Sequence, residues 1–141
     1  MIRRADGNDA LELYNLEMLS FTNPYSLNTI QNDLMSDKVA VFVYVKNDSI
    51  VGYISIYYFM GEANLQKVVV AESYRRQGIA TQLIQYAIDF LKNQNIDKFY
   101  LEVNEHNVVA IGVYEKLGFE RISTRKNYYG SESAIIYEKR F

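Results

Sequence analysis

The chain has 141 residues, 49% of them apolar and 14% aromatic, with a formal net charge of −2, no cysteine and a single histidine. One domain spanning 1–141 with a substantial core fits that length and composition, and intrinsic disorder does not. The weak acidity argues against a nucleic-acid binder that works by neutralising phosphates, and suits a basic peptide or amine slightly better. Without cysteine there are no disulfides, thiolate zinc sites or sulfur nucleophile, and His106 among scattered carboxylates lacks the spacing of metal ligands. No apolar run approaches the roughly 18 residues of a membrane span, and residues 1–6 have no apolar stretch behind their arginines. A cytoplasmic protein with no metal and no membrane contact is expected, and oligomeric state leaves no sequence signal.

Residues 1–5 fit a short first strand. Over 8–21, Leu11, Tyr14, Met18 and Phe21 recur at helical spacing. The only proline, Pro24, lies in a loop-like 21–26, and Ser26 caps a second helix with Leu27, Ile30 and Leu34 on its inner face. The period then changes. Residues 39–46 and 49–58 are rich in β-branched and aromatic side chains, with Asn47-Asp48 between them as a hairpin turn. Residues 64–70 read as another strand. Over 76–93, Ile79, Leu83, Tyr86, Ala87, Phe90 and Leu91 form one apolar stripe, with Gln82, Gln85, Asp89 and Lys92 facing away.

Residues 98–104 alternate, with Phe99, Leu101 and Val103 on one side and Tyr100, Glu102 and Asn104 on the other. A short helix opened by Asn107 and closed by Gly118 follows, and 121–129 with 134–141 form a last hairpin around 130–133. The order is β-α-α-β-β-β-α-β-α-β-β. Strands 64–70 and 98–104 flank a helix, so they are parallel with a right-handed crossover. The expected fold is α/β in the α+β sense: a mixed, mostly antiparallel sheet with a central parallel βαβ unit and helices on both faces.

The segment Val68-Val69-Val70-Ala71-Glu72-Ser73-Tyr74-Arg75-Arg76-Gln77-Gly78-Ile79-Ala80-Thr81 carries a strand through a turn into a helix. The first turn of a helix leaves N–H groups unpaired and carries partial positive charge. Gly78 and Ala80 are small enough for a phosphate to approach the backbone, and Arg75 and Arg76 add full charges. An ordinary helix start with two solvated arginines fits the same residues. The turn is neither a Rossmann nor a Walker loop.

The run Arg75-Arg76-Gln77-Gly78-Ile79-Ala80 resembles the R/Q-x-x-G-x-G/A signature of the GNAT superfamily of N-acetyltransferases, and the element order follows that fold along essentially the whole chain. The resemblance implies acetyl-coenzyme A as co-substrate. Arg75, Arg76, Gln77, Gly78, Ile79, Ala80 and Thr81 would cradle its pyrophosphate. The backbone of Val68, Val69 and Val70 would pair with the pantetheine amides like an added strand, beside a splay between the two parallel strands.

Acetylating an amine needs a base, because an ammonium has no lone pair, and benefits from an acid that protonates the departing thiolate. Glu102 lies inside an otherwise well-formed strand, where a carboxylate is a poor β-former. It equally fits a solvated position on a half-exposed sheet. Tyr114, on a stripe with Ile111 and Leu117, fits plain core. The stretch 102–119 resembles the E-V-x-x-x-N-x-x-A-I-x-L-Y-x-x-L-G-F segment of the RimI-type ribosomal-protein alanine N-acetyltransferases. That resemblance makes Glu102 the general base, Tyr114 the general acid and Asn107 a coenzyme A contact.

Residues 21–26 resemble that group's F-x-x-P-W-S loop, and 125–129 resemble its R-x-N-Y-Y hairpin entry. They imply a peptide side lined by Tyr25, Tyr128 and Tyr129. There are departures: Tyr25 stands for the usual tryptophan, Asn104 for arginine, and Lys67 for a small or neutral polar residue. Lys67 either faces Glu102, where its charge would lower the carboxylate pKa, or faces the other way. The group has no catalytic histidine at His106, which fits an exposed loop residue. The implied activity is acetyl transfer to a protein N-terminal α-amine, with the N-terminal alanine of a small-subunit ribosomal protein favoured, by direct attack in a ternary complex. Acetylation of a small amine or a lysine, and a non-catalytic acyl-coenzyme A sensor, are the alternatives.

Overall fold

Strands rich in Val, Ile, Tyr and Phe alternate with helices that are apolar on one side, and the result is a sheet covered on both faces. The computed structural model describes residues 1–141 apart from the Tyr129 side chain, so the expectation placed on that side chain lies outside the described residues. The elements are β1 (Ile2–Arg4), α1 (Ala10–Ser20), α2 (Leu27–Met35), β2 (Val39–Lys46), β3 (Ser49–Phe59), β4 (Glu62–Val70), α3 (Ile79–Lys92), β5 (Lys98–Asn104), α4 (Val108–Lys116), β6 (Glu120–Tyr129) and β7 (Glu132–Arg140). Single 3-10 turns at Gly7–Asp9 and Glu72–Tyr74 precede α1 and α3. This is the order read from the sequence. The sheet runs β1-β2-β3-β4-β5-β7-β6, antiparallel except for the β4–β5 pair.

The β2–β3 hairpin turns on Asn47 and Asp48, both left-handed at φ 53° and 62°, a type I′ geometry that matches strand twist and that Asn and Asp tolerate. One core lies between the sheet and α3 with α4, and holds Phe42, Ile54, Leu83, Ile88, Phe99, Leu101 and Tyr137. The other lies between the sheet and α1 with α2, and holds Leu13, Leu16, Ile30, Val41, Val43, Tyr53 and Val69. Each fully buried aliphatic side chain contributes about 1.5–3 kcal/mol to holding these layers together. Among the described residues no helix is long and apolar enough to cross a membrane.

Two helix stripes differ from expectation. On α1 the buried positions are Ala10, Leu13, Leu16 and Glu17, whereas Leu11 and Met18 are 62% and 54% exposed. The helix is apolar nearly all round, so spacing alone fits two phases, and the phase adopted buries a carboxylate. On α3, Tyr86 is at the rim and Ile84 and Ile88 take the inner face, because Tyr86 packs edge-on against Phe42 with ring centroids 5.0 Å apart.

The feature that positions everything functional is the parting of β4 from β5. They pair only at Glu62↔Lys98, Ala63↔Phe99 and Asn64↔Tyr100. Beyond that point β4 keeps β3 as neighbour, through Ser55↔Lys67, Ile54↔Val68, Tyr53↔Val69 and Gly52↔Val70, and its other edge is free of β5. Opposite Ser55 and Ile56, β4 carries one extra residue, Gln66, whose Oε1 accepts a bond from Ser55 Oγ at 2.8 Å. A bulge bends its strand and raises the local twist, and here it falls where the two strands diverge.

Candidate active site

On the α3–α4 face, a cleft of about 470 Å³ runs along the free edge of β4 to the start of α3. Gly78 takes the N-cap position at φ 80°, a left-handed conformation that a side chain would strain, and no side chain caps the helix. The first helical acceptor is Gly78 O, taken by Gln82 N–H, so the N–H groups of Ile79, Ala80 and Thr81 remain the orphan donors of the first turn. Arg75 Nε donates to Val70 O at 3.0 Å, which fixes its guanidinium at the strand end. Gly52 supplies the close approach beneath: a Cβ there would meet Val69 O at 2.9 Å and Ile79 Cγ2 at 3.3 Å. A larger residue would lift the helix start away from β4.

Of the residues expected at a cofactor, Val68, Val70, Arg75, Arg76, Gly78, Ile79, Ala80, Thr81 and Asn107 line this cleft. The Val69 side chain is buried in the α1–α2 core, which leaves only its backbone for pairing. Gln77 is outside the lining, and its Oε1 accepts from Lys46 Nζ at 3.4 Å. Sequence reading missed Tyr74, Ile84, Val109, Ala110 and Val113, which also line the cleft. The last three follow from the phase of α4, which becomes readable once Asn107 is taken as its cap, since Asn107 Oδ1 accepts from Ala110 N–H at 3.2 Å.

Tyr114 enters the same cleft from α4 and is 7% exposed. Burial pushes its pKa upward, so the hydroxyl stays protonated at neutral pH, and among the described residues it has no hydrogen-bond partner. A protonated, uncommitted hydroxyl can donate to a nearby anion.

Glu102 lies on β5 beyond the last β4–β5 pair, on the opposite face from the buried Phe99, Leu101 and Val103. It faces a second cleft of about 600 Å³ walled by Asn64, Gln66, Tyr100, Ile122, Arg125 and Tyr128. Its Oε1 is 3.2 Å from Arg125 Nη1, with the Glu102 side chain 34% exposed. Arg125 also lies 5.4 Å from the centre of the Tyr128 ring. β6 is irregular here, since Arg125↔Ala134 is followed only by Tyr129↔Glu132, and Asn127 between them is left-handed at φ 58°. This extra length carries Tyr128 into the cleft. Arg125 and Gln66 are polar neighbours of Glu102 that sequence reading gave no role. Their placement depends on the two strand irregularities, which no residue pattern announces.

Lys67 shares the sheet face of Glu102 but makes no ion pair with it among the described residues. Its Nζ lies 2.6 Å from Glu17 Oε1, on α1, and over the rings of Tyr25 and Phe21 at 3.6 Å and 4.2 Å. Tyr25 therefore does not line the Glu102 cleft with Tyr128; its ring is committed to Lys67. Burial, then Asp33 and Glu17, raise the Tyr25 pKa. Asn104 donates through Nδ2 to Glu132 Oε2 on β7, and so turns toward the hairpin. His106 is an exposed loop residue beside Glu105, with Nε2 3.3 Å from Oε1.

Residues 10–119 match the acetyltransferase (GNAT) family, so the chain belongs to that family of N-acetyltransferases, and the parallel pair that parts beside an uncapped, arginine-flanked helix start fits its fold. Acetyl-coenzyme A is the usual donor of that family. Among its relatives, the chain is similar to the [ribosomal protein bS18]-alanine N-acetyltransferase of Escherichia coli (strain K12), at 30% identity over 139 residues, covering 96% of this chain and 93% of that one. It is 31% identical over 141 residues to an N-alpha-acetyltransferase of Saccharolobus solfataricus, covering 91% of this chain and 84% of the relative. The crystal structure of the ribosomal-protein-S18-alanine N-acetyltransferase from Escherichia coli matches the fold with a TM-score of 0.91 at 28% identity, over 99% of this chain and 92% of that one.

Proposed function

We propose that the protein transfers the acetyl group of acetyl-coenzyme A to the α-amino group of a protein N-terminus, and that the favoured acceptor is the N-terminal alanine of a ribosomal protein related to bS18. The observation that carries this reading is the disposition of Glu102 and Tyr114. They come from opposite faces of the sheet toward the same parting of β4 and β5, each at the wall of its own cleft.

The residues fit the donor. The orphan N–H groups of Ile79, Ala80 and Thr81, with Arg75 and Arg76 beside them, suit a pyrophosphate. The free edge at Val68, Val69 and Val70 offers main-chain groups to the pantetheine amides. When bound, the donor supplies an acyl thioester. On the other face, Glu102 Oε accepts the proton of the acceptor ammonium, directly or through a water, and leaves a lone pair on nitrogen. With both substrates bound, that nitrogen attacks the acyl carbon directly. As the carbon–sulfur bond breaks, the Tyr114 hydroxyl gives its proton to the sulfur; the nitrogen sheds its second proton to water, Tyr114 is reprotonated from water and Glu102 releases its proton, so that one proton leaves per amide formed. Tyr128 and Ile122 line the acceptor approach with apolar surface, and Arg125 fixes one oxygen of Glu102 while leaving the other for the proton.

The test is acetyl-coenzyme A consumption with short peptides beginning Ala-Arg, Ser-Arg or Met, beside polyamines and a lysine peptide blocked at its N-terminus. Turnover is expected on the alanine peptide first. Turnover confined to polyamines or the blocked peptide would discard the acceptor assignment. Tight donor binding with no turnover would make the protein an acyl-coenzyme A sensor.

A further inference from the structure

Glu17 is the most buried carboxylate described, with no exposed surface, and it sits on the inner stripe of α1. Its Oε1 takes two bonds, from Lys67 Nζ at 2.6 Å and from the backbone N–H of Tyr25 at 3.1 Å, whereas Oε2 has no partner among the described residues. The Tyr53 hydroxyl, on the same face, is likewise buried without one. Taking such a charge out of water is costly unless it is paired, so the arrangement persists because Lys67 neutralises it.

The pair also does something local. The loop 21–26 joins α1 to α2. Its main chain is tied back at Phe21, through Glu17 O, and at Tyr25, through the Glu17 carboxylate. Both aromatic rings of the loop lie on the Lys67 ammonium, at distances where a desolvated cation–π contact is strong. Lys67 follows Gln66, which lines the acceptor cleft, and precedes Val68, which lines the donor cleft. Lys67, at the parting of the strands, thus touches both rings of the loop and pairs with the carboxylate that holds its Tyr25 amide.

We propose that Lys67 is a positioning residue for the acceptor: clamped by Glu17, Phe21 and Tyr25 directly after Gln66 of the acceptor cleft wall, it ties the 21–26 loop to that wall and so governs acceptor binding and not donor binding. The inference rests on the acetyl-transfer reading above for its substrate.

The test combines steady-state kinetics with hydrogen exchange. Lys67→Met is expected to raise the peptide KM on the order of tenfold while leaving the acetyl-coenzyme A KM within about twofold. The Tyr25 amide should lose its protection while β3 and β4 keep theirs. Lys67→Arg keeps the cation, the carboxylate pairing and the ring stacking, and should restore both readouts. Because Lys67→Met leaves Glu17 buried and unpaired, the double variant Glu17→Gln/Lys67→Met serves as the folding control: it should melt near the parent and still show the raised peptide KM. A peptide KM that does not move, or moves in step with the donor KM, overturns the proposal, as does an unchanged loop exchange pattern. Failure of the acetyl-transfer reading looks different, because the unmodified protein would then turn over no amine while the exchange arm still reads the clamp.

Discussion

The two faces of the sheet meet at the gap between β4 and β5, and they are built in different ways. The α3–α4 side, proposed for the donor, is mostly backbone: an uncapped helix start, a left-handed Gly78, a free strand edge and a Gly52 that lets α3 sit close. The side proposed for the acceptor is mostly side chains: Glu102 against Arg125, Arg125 against Tyr128, Lys67 in its clamp, with irregularities in β4 and β6 beside them. A backbone site needs small residues at fixed offsets and so is written into a short run of sequence. A side-chain site depends on which way each strand points after a bulge. The donor, common to a whole family, fits the first kind of construction, and acceptor choice fits the second.

The sharpest way to break this division is Glu102→Gln. As the base it should cost about 10²–10⁴-fold in kcat, while calorimetry shows acetyl-coenzyme A binding unchanged; a full rate in that variant would remove Glu102 from the chemistry. The mirror experiment is Gly78→Val. A Cβ there meets nothing nearer than Gln82 Nε2 at 3.9 Å, so the substitution strains φ 80° without a clash. Strain of roughly 1–2 kcal/mol should weaken the donor site about tenfold, read as a raised acetyl-coenzyme A KM with the peptide KM unmoved. That split is the reverse of the one expected for Lys67→Met.

The smallest effect concerns alkali. Burial raises the pKa of Tyr25, Tyr53 and Tyr114, with Glu17 adding to the first two. A raised folded-state value means the native protein holds the proton more tightly. The stability this gives is therefore present in full below the ordinary tyrosine value of about 10 and lost as the pH climbs through the higher folded values. Urea midpoints should fall above about pH 10, and Tyr53→Phe should flatten part of that slope. An unchanged slope would mean the tyrosines under α1 and α2 do not titrate with unfolding.

The element order, the Asn47-Asp48 turn, the Asn107 cap and the arginine-flanked turn before α3 were legible because each rests on local chemistry: periodicity, left-handed propensity, a capping oxygen, small residues at a helix start. The phase of α1 was not, since Leu11 and Met18 are as apolar as Leu13 and Leu16 and only packing against Val41 and Tyr53 chooses between them. The direction of Lys67 is not legible in the sequence for a related reason. Its partner is a carboxylate 50 positions away on that same misphased helix. Tyr25 and Tyr128 read as one groove from their family patches, whereas in the structure Tyr128 lines the Glu102 cleft and the Tyr25 ring lies against Lys67.

The strand order carries a consequence for how the protein is made. β7 follows β6 in chain order, yet it lies inside the sheet between β5 and β6, pairing with β5 from Lys98↔Arg140 to Asn104↔Ala134. Until residues 134–140 have left the ribosome, the strand that carries Glu102 has an open edge, and β6 has nothing to pair with. A nascent chain that already holds the complete turn before α3 is therefore still an unfinished enzyme, and in the meantime its bare β5 edge is the place most open to mispairing.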